Sequence, residues 1–246
     1  MSRRFYSAQP LCSQAGLMFT LDGSEAHHLA HVMRAKPGDQ ITVFDGVGWE
    51  ATAIVESVGR RDVQLQIATP AAISRELPFE LELAVALPRG ERQEWLVEKI
   101  VEVGVTRLVP LNCERSVARP NDKSLDKLRR AVIEASKQCG RNHLMEVAAV
   151  ADFPSYISAA NGRRWFAHVM ASSRCTDPAQ PAAAIRSDAE TQGSQEPITI
   201  AVGPEGGFSD DEATAAANAG WQLVTLGSRI LRTETAAIAL ALAAQS

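Results

Sequence analysis

The residues Ala201-Val-Gly-Pro-Glu-Gly-Gly-Phe208 leave an apolar run and enter Ser209-Asp-Asp-Glu212, the pattern of a capping box at a helix start. A glycine-rich loop between strand and helix turns backbone amides toward a ligand, at the strand-end edge where open α/β sheets bind them. The spacing matches neither the Walker phosphate loop nor the G-x-G-x-x-G dinucleotide fingerprint, and the lysine of the former is missing. Glu205 stands mid-loop, where its carboxylate would repel a polyphosphate, so the ligand expected there is neutral or cationic. A turn that needs its glycines only for backbone geometry is the simpler alternative.

A second polar loop, Leu226-Gly-Ser-Arg-Ile-Leu-Arg-Thr-Glu-Thr-Ala236, precedes Ala-Ile-Ala-Leu-Ala-Leu-Ala-Ala. The helix expected there is apolar nearly all round and must be buried, in the core or against another subunit. Thr233 or Thr235 can cap it. Arg232 faces the unfavourable end of the helix dipole. That mismatch points to a function, although a salt bridge to Glu234 accounts for it equally well.

The elements that position these loops are legible in outline. Up to about residue 75 the chain reads as short strands, Gln40–Phe44, Trp49–Val58 and Asp62–Ile67, with turn chemistry at Pro37-Gly38-Asp39 and Asp45-Gly46. One helix, Ser24–Met33 with Ser24 as N-cap, interrupts them. This predicts a small β-rich domain, a barrel in outline, with Thr69–Leu77 as linker. From residue 80, apolar runs at Leu81–Leu87, Arg107–Leu111, Met145–Val150, Trp165–Met170, Ile198–Val202 and Gln222–Leu226 alternate with helical stretches. The helices are Glu91–Val103, Ser124–Cys139 and Ser209–Ala219, with Gly104 and Gly140 as C-terminal glycines. Such alternation predicts an α/β domain with a mostly parallel sheet. Thr176–Gln195, rich in Ala, Pro and Ser, reads as a mobile loop.

With 46% hydrophobic and 22% charged residues over 246 positions, the chain can bury a sizeable core, which excludes a disordered or fibrous protein. No apolar run reaches the roughly 18 residues that would span a bilayer, and no apolar segment follows Arg3 and Arg4 as a secretory signal requires. Cys12, Cys113, Cys139 and Cys175 are scattered without a C-x-x-C pair, so free thiols in a cytoplasmic protein are expected rather than a zinc site or disulfides. His27, His28 and His31 lie close together on one helix, but no Cys, Asp or Glu completes a metal-ligand set, and capping or packing roles are expected.

The net charge of −4 argues against nucleic acid only until it is divided. Residues 1–75 and 76–146 are each balanced, and the acidic excess lies wholly in residues 147–246. Within 107–141, nine bases (Arg107, Arg115, Arg119, Lys123, Lys127, Arg129, Arg130, Lys137, Arg141) face four acids (Glu114, Asp122, Asp126, Glu134). That stretch is either a phosphate-binding surface or an ordinary solvated helix face.

GPEGGFSDDE followed by LGSRILRTETA closely resembles the signature of the knotted, SPOUT-type RNA methyltransferases, and more narrowly the bacterial 16S ribosomal RNA uridine-N3 methyltransferases. The resemblance runs nearly the whole chain: His27-His-Leu-Ala-His-Val-Met-Arg34 with Pro37-Gly-Asp and Phe44-Asp-Gly, then Glu98-Lys99 with Glu102-Val-Gly-Val105, then Glu134-Ala-Ser-Lys-Gln138 with Arg141. Arg89 stands where the family pattern leads one to expect lysine, and Val103 where leucine is usual.

The resemblance implies a PUA-like RNA-binding β-barrel domain over residues 1–72 and a methyltransferase domain with a deep trefoil knot over 78–246. General topology rules would never suggest that knot. It further implies S-adenosylmethionine as cofactor, held by Gly203, Glu205 and Gly206 in the first loop and by Leu226, Gly227, Ile230, Leu231 and Arg232 in the second. It also implies a homodimer built on the C-terminal helix, no metal and no membrane, with 16S rRNA or the 30S subunit as partner.

Methylating uracil N3 requires removal of its proton, or stabilisation of the flanking carbonyl oxygens as charge develops. Glu234 is the candidate base and Arg232 the candidate for the oxygens, against the alternative that the two simply pair. Arg3, Arg4, Arg34, Arg115, Arg119 and Arg141 are the candidate RNA contacts. Aromatic residues make up only 5% of the chain, which favours shape recognition of folded RNA over base stacking. Two other readings stand beside this one: ribose 2′-O methylation by the same fold, and a non-catalytic RNA-binding or ribosome-assembly factor.

Overall fold

The structure, a computed structural model, describes residues 3–168, 180–182, 184–185 and 196–245. Cys175, the end of the run expected to reach Met170, and most of Thr176–Gln195 lie outside the described residues. The chain divides into two units, Met1–Glu76 with Ile133–Leu144, and Leu77–Val132 with Met145–Ser246.

In the first unit, strands β1 (Arg4–Tyr6), β2 (Met18–Leu21), β3 (Gln40–Phe44), β4 (Trp49–Val58), β5 (Val63–Ile67) and β6 (Ala71–Ala72) form one sheet. Its order is β1-β3-β4-β5-β2, with β6 on β4, a PUA-like half-barrel. Only β1 and β3 run parallel. Period-two alternation decides the inner face: Ala51, Ala53 and Val55 of β4 and Val63, Leu65 and Ile67 of β5 are buried with Phe5, Phe19 and Val43. Part of the expected linker, Ala71–Ala72, forms a short strand instead, paired with Trp49–Glu50. The strands β1 and β2 are too short to show in a sequence pattern.

The helix expected over Ser24–Met33 is two pieces. Helix α1 (Gly23–His27) follows Asp22 as N-cap, with no side-chain cap bond, and a π-helical turn spans His28–Val32. The widened turn closes through Met33 N–H on the His28 carbonyl (2.9 Å) and Ala35 N–H on that of Leu29 (3.1 Å), leaving Arg34 left-handed at φ 53°. Arg34 is the one non-glycine residue with positive φ among the described residues.

The second unit holds β7 (Leu81–Val85), β8 (Arg107–Asn112), β9 (Glu146–Val147), β10 (Ala151–Asp152), β11 (Arg163–Ala167), β12 (Gln180–Pro181), β13 (Ile198–Val202) and β14 (Gln222–Thr225). Every pairing is parallel, in the order β10-β8-β7-β13-β11-β14-β12, with β9 also on β8. Near-continuous apolar strands suit a sheet covered on both faces, and β13 is buried at every residue. The helices are α2 (Arg92–Val103), α3 (Asp122–Cys139), α4 (Phe153–Ala159), α5 (Asp210–Asn218) and α6 (Thr233–Ala243). The last turns of α3, from Ile133, fall in the first unit.

Gly104 ends α2 in the left-handed region, and Ser209 with Glu212 forms the expected capping box of α5. Helix α4, seven residues with Pro154 in its first turn, carried no periodic signal. No described helix is long and apolar enough to cross a membrane.

Phe208 organises the packing beneath the glycine-rich loop. Its ring stacks on Phe153 (4.5 Å between centroids) and meets Phe166 edge-on (6.2 Å). A Cβ on Gly203 would stand 3.1 Å from that ring, so a side chain there would press on the Phe208 ring by a few tenths of an ångström. Phe208→Ala is expected to cost about 3–5 kcal/mol, read as a lower denaturation midpoint in urea.

Candidate functional site

The strand order puts β11 between β13 and β14, so the loops leaving the C-terminal ends of those two strands flank its own end. They enclose a cavity of about 310 Å³. Of the expected cofactor-binding residues, Gly203, Glu205, Leu226, Gly227, Ile230 and Leu231 line it, while Gly206 and Arg232 stand outside the lining. Gly227, at φ 100°, turns the second loop where a side chain would be strained. Thr233 caps nothing: its hydroxyl donates to the Gly203 carbonyl (3.2 Å) and ties the second loop to the first. The N-cap of α6 is Arg232, without a side-chain cap bond.

Arg232 and Glu234 do not pair. Arg232 is exposed, whereas Glu234 is buried at 5% exposure and faces a cation the sequence reading missed. Arg92, the first residue of α2, sets its guanidinium 2.8 Å from Glu205 Oε1 and 3.5 Å from Glu234 Oε1. The bond to Glu205, then the charges of both carboxylates, hold this guanidinium above its ordinary proton affinity. Glu234 Oε2 is buried with no hydrogen-bond partner. Neither Glu234 nor Arg92 lines the cavity; Glu205, held by the same guanidinium, does. Nothing in the spacing of one sequence links position 92 to 205 and 234.

A second missed residue is His168, at the C-terminal end of β11 and on the cavity wall. Its Nδ1 is buried and unpartnered. Burial lowers its proton affinity, Asp210 opposes that, and Arg115 adds to it. His168 lies inside the apolar run Trp165–Met170, where no sequence period marks it. The Cys113 thiol, pushed up to about 12 by burial and then by Glu212, stays protonated. Glu212 also accepts from the Glu114 amide (2.8 Å), and Arg115 donates to the Gly206 carbonyl (3.0 Å), so the 113–116 turn buttresses the first loop.

The candidate RNA contacts divide. Arg141 is buried and bonded to Glu76. Arg4 spans Glu50 and Asn142 and lies over the Phe44 ring. Burial works to raise the Glu50 carboxyl, but bonds from Arg4, Arg75 and Asn142 outweigh it and hold the group at about 2. Arg4 and Arg141 therefore serve the interior of the first unit rather than a free surface. Arg3, Arg34, Arg115 and Arg119 are exposed.

The basic stretch is also largely spent on ion pairs: Arg107 with Glu82 and Glu146, Lys127 with Glu94, Arg129 with Asp126, and Lys137 with Glu25 and Glu134. Arg119, Lys123 and Arg130 carry no ion pair among the described residues. The rings of His27 and His31 lie 4.7 Å apart, and no group of three metal-ligating side chains gathers among the described residues.

A parallel sheet whose strand-end loops line a ligand-sized cavity stands in one chain with a PUA-like half-barrel. Residues 75–245 match the model of an RNA methyltransferase domain, and residues 21–68 that of an RNA methyltransferase PUA domain. The ribosomal RNA small subunit methyltransferase E of Synechocystis is 34% identical over 88% of this chain and 69% of its own. A methyltransferase structure from Legionella pneumophila in complex with the cofactor SAM superimposes at a TM-score of 0.85, with 31% identity over 99% of this chain and 97% of that one. A ribosomal RNA small subunit methyltransferase E from Neisseria gonorrhoeae bound to S-adenosyl methionine gives 0.84 and 29% over 100% and 97%. The chain belongs to the ribosomal RNA small subunit methyltransferase E family of RNA methyltransferases.

His168 yields a pH prediction. An imidazole whose folded-state proton affinity is lowered is protonated more readily in the unfolded chain, so it destabilises the fold as pH drops below its ordinary value of 6.5. Chemical denaturation between pH 7.5 and 5.5, on the order of the titration range, is expected to show a smaller loss of stability in His168→Gln than in the unaltered protein.

Proposed function

We propose that this chain transfers a methyl group from S-adenosylmethionine to N3 of one uridine in 16S rRNA of the small ribosomal subunit. The observation that carries the reading is the cavity that GPEGG and LGSRILRTETA build together, in a chain whose solved relatives hold that cofactor at the same fold. The site suits the cofactor. Val202, Val224, Leu226 and Leu231 offer apolar walls to an adenine ring, and the loop backbones offer donors and acceptors to its polar edge. Glu205 places a carboxylate on the cavity wall, its charge shared with Arg92, and the unpartnered His168 Nδ1 offers a bond to a hydroxyl.

When bound, the cofactor supplies an electrophilic methyl on a sulfonium. The protein's part is the uracil. Glu234, whose Oε2 has no partner, takes the N3 proton, and Arg232, exposed beside it in sequence, stabilises the carbonyl oxygens as negative charge develops.

A PUA-like module in the first seventy-odd residues binds RNA with Arg3 and Arg34, while Arg115 and Arg119 serve the methyltransferase domain, whose loop region is knotted. The protein works in the cytoplasm as a homodimer. Ile230, Trp95 and Leu242, exposed apolar residues of the second unit, support a subunit contact there, as does the outward side of the apolar helix α6.

Incubation with labelled S-adenosylmethionine and 30S subunits or free 16S rRNA is expected to give 3-methyluridine on nucleoside analysis. A 2′-O-methylated nucleoside instead would move the target to the ribose, and no transfer despite cofactor binding would move it to another RNA. Glu234→Gln is expected to lower the rate by about 10²–10⁴ with cofactor affinity intact; full activity would remove Glu234 as base. Arg34→Ala and Arg119→Ala are each expected to weaken RNA binding and to reduce the slope of log affinity against log salt by about one.

A further inference from the structure

A second cavity, of about 520 Å³, lies wholly within the first unit and is lined by helix α1, its π-helical turn and the hairpin that joins β4 to β5. The Gly59 amide donates to the Asp62 carbonyl (2.9 Å), which closes the hairpin and leaves Arg60 and Arg61 as its two central residues. Both arginines line the cavity, both are exposed, and neither carries an ion pair among the described residues. Opposite them in the lining stand His27, Ala30 and His31, whose spacing puts them on one helix face. The two imidazoles are exposed, 4.7 Å apart between centroids, and Ala30 projects only a methyl group. Asp22, the N-cap residue of α1, makes no side-chain cap bond and lines the same cavity.

The two guanidiniums are balanced by the carboxylates of Asp22 and Asp62 in the same lining. Such a lining suits a ligand that is anionic at one end and carries N–H donors at the other. A nucleotide is built this way, and its base also needs a flat partner. Phe, Tyr and Trp make up only 5% of the chain and none lines this cavity, so the planar faces available are the two imidazoles. We infer that this cavity seats one unpaired nucleotide of the RNA. Arg60 and Arg61 take its phosphate, His27 and His31 stack on its base, and Asp22 accepts from a base N–H. This rests on the reading of the chain as one that acts on RNA, and it adds a contact outside the reach of Arg3 and Arg34, which do not line the cavity.

The test titrates the full chain with free 16S rRNA and with a short mixed-sequence RNA, single-stranded or annealed to its complement, at several salt concentrations. Arg60→Ala combined with Arg61→Ala is expected to lower the slope of log affinity against log salt by about one, the value for one phosphate contact. His27→Ala combined with His31→Ala is expected to weaken binding of 16S rRNA and of the single strand on the order of ten- to a hundredfold, with the slope unchanged. His27→Phe combined with His31→Phe keeps two planar rings and is expected to restore most of that loss. The annealed duplex is expected to respond to neither histidine pair. All four side chains are exposed, so these variants are expected to keep the denaturation midpoint of the unaltered protein.

Single-strand binding left unchanged by the histidine-to-alanine pair would overturn the inference, because no base would then be seated. An unchanged salt slope in the arginine pair would also overturn it, by taking the phosphate out of the cavity. Equal losses on single strand and duplex would do the same, since helix shape rather than an unpaired base would be what is read. Failure of the unaltered protein to bind or methylate 16S rRNA would remove the RNA reading underneath. That result is distinct from the others because it involves no variant.

Discussion

Strand Ile198–Val202 has no solvent face and no free edge: all five residues are buried and it is paired on both sides, with Leu81–Val85 and with Arg163–Ala167. A chain leaving such a strand in a parallel sheet emerges at its C-terminal end, where neighbouring strands also discharge their loops. Gly203 then crosses close over the Phe208 ring, and the loop turns directly into the capped helix at Asp210. The cavity follows from this arrangement. Its walls are the ends of strands that could not stop elsewhere without exposing apolar surface.

Apolar packing holds the strands, but polar bonds hold the loops. The Thr233 hydroxyl on the Gly203 carbonyl joins the two cavity loops, Arg115 fastens the first from the 113–116 turn, and Arg92 fastens both through carboxylates. Loops tied this way keep open a ligand-sized space that close packing would fill. They also leave buried polar atoms without partners, Glu234 Oε2 and His168 Nδ1, of the kind that a structure retains where a ligand or a reaction uses them.

The arginines divide by environment rather than by number. In the first unit Arg4, Arg75 and Arg141 are absorbed by Glu50, Glu76 and backbone carbonyls, and this network ties residues 140–142 to the half-barrel. A count of bases over 107–141 offered either a phosphate-binding surface or an ordinary solvated helix face; in the structure Arg107, Lys127, Arg129, Lys137 and Arg141 of that stretch stand in ion pairs. Arg34 is the opposite case. It is exposed, stands left-handed after a π-helical turn, and carries no ion pair among the described residues.

The sequence by itself determined the parts governed by local periodicity and local chemistry. These include the βα alternation of the second unit, the capping box at Ser209, the alternating strands β3, β4 and β5, and the two glycine-bearing loops whose residues line the cavity. It also named the family, because a long motif constrains many positions together. Tertiary structure alone decided which charges meet. Arg92 pairs with Glu205 and Glu234 because helix α2 packs against α6, a contact between segments far apart in the chain that leaves no spacing to read. The π-helical turn before Arg34, the short strands β1 and β2, and His168 at the cavity wall escaped for the same reason. Each is set by what surrounds it in space, and a helical or strand period says nothing of neighbours outside its own element.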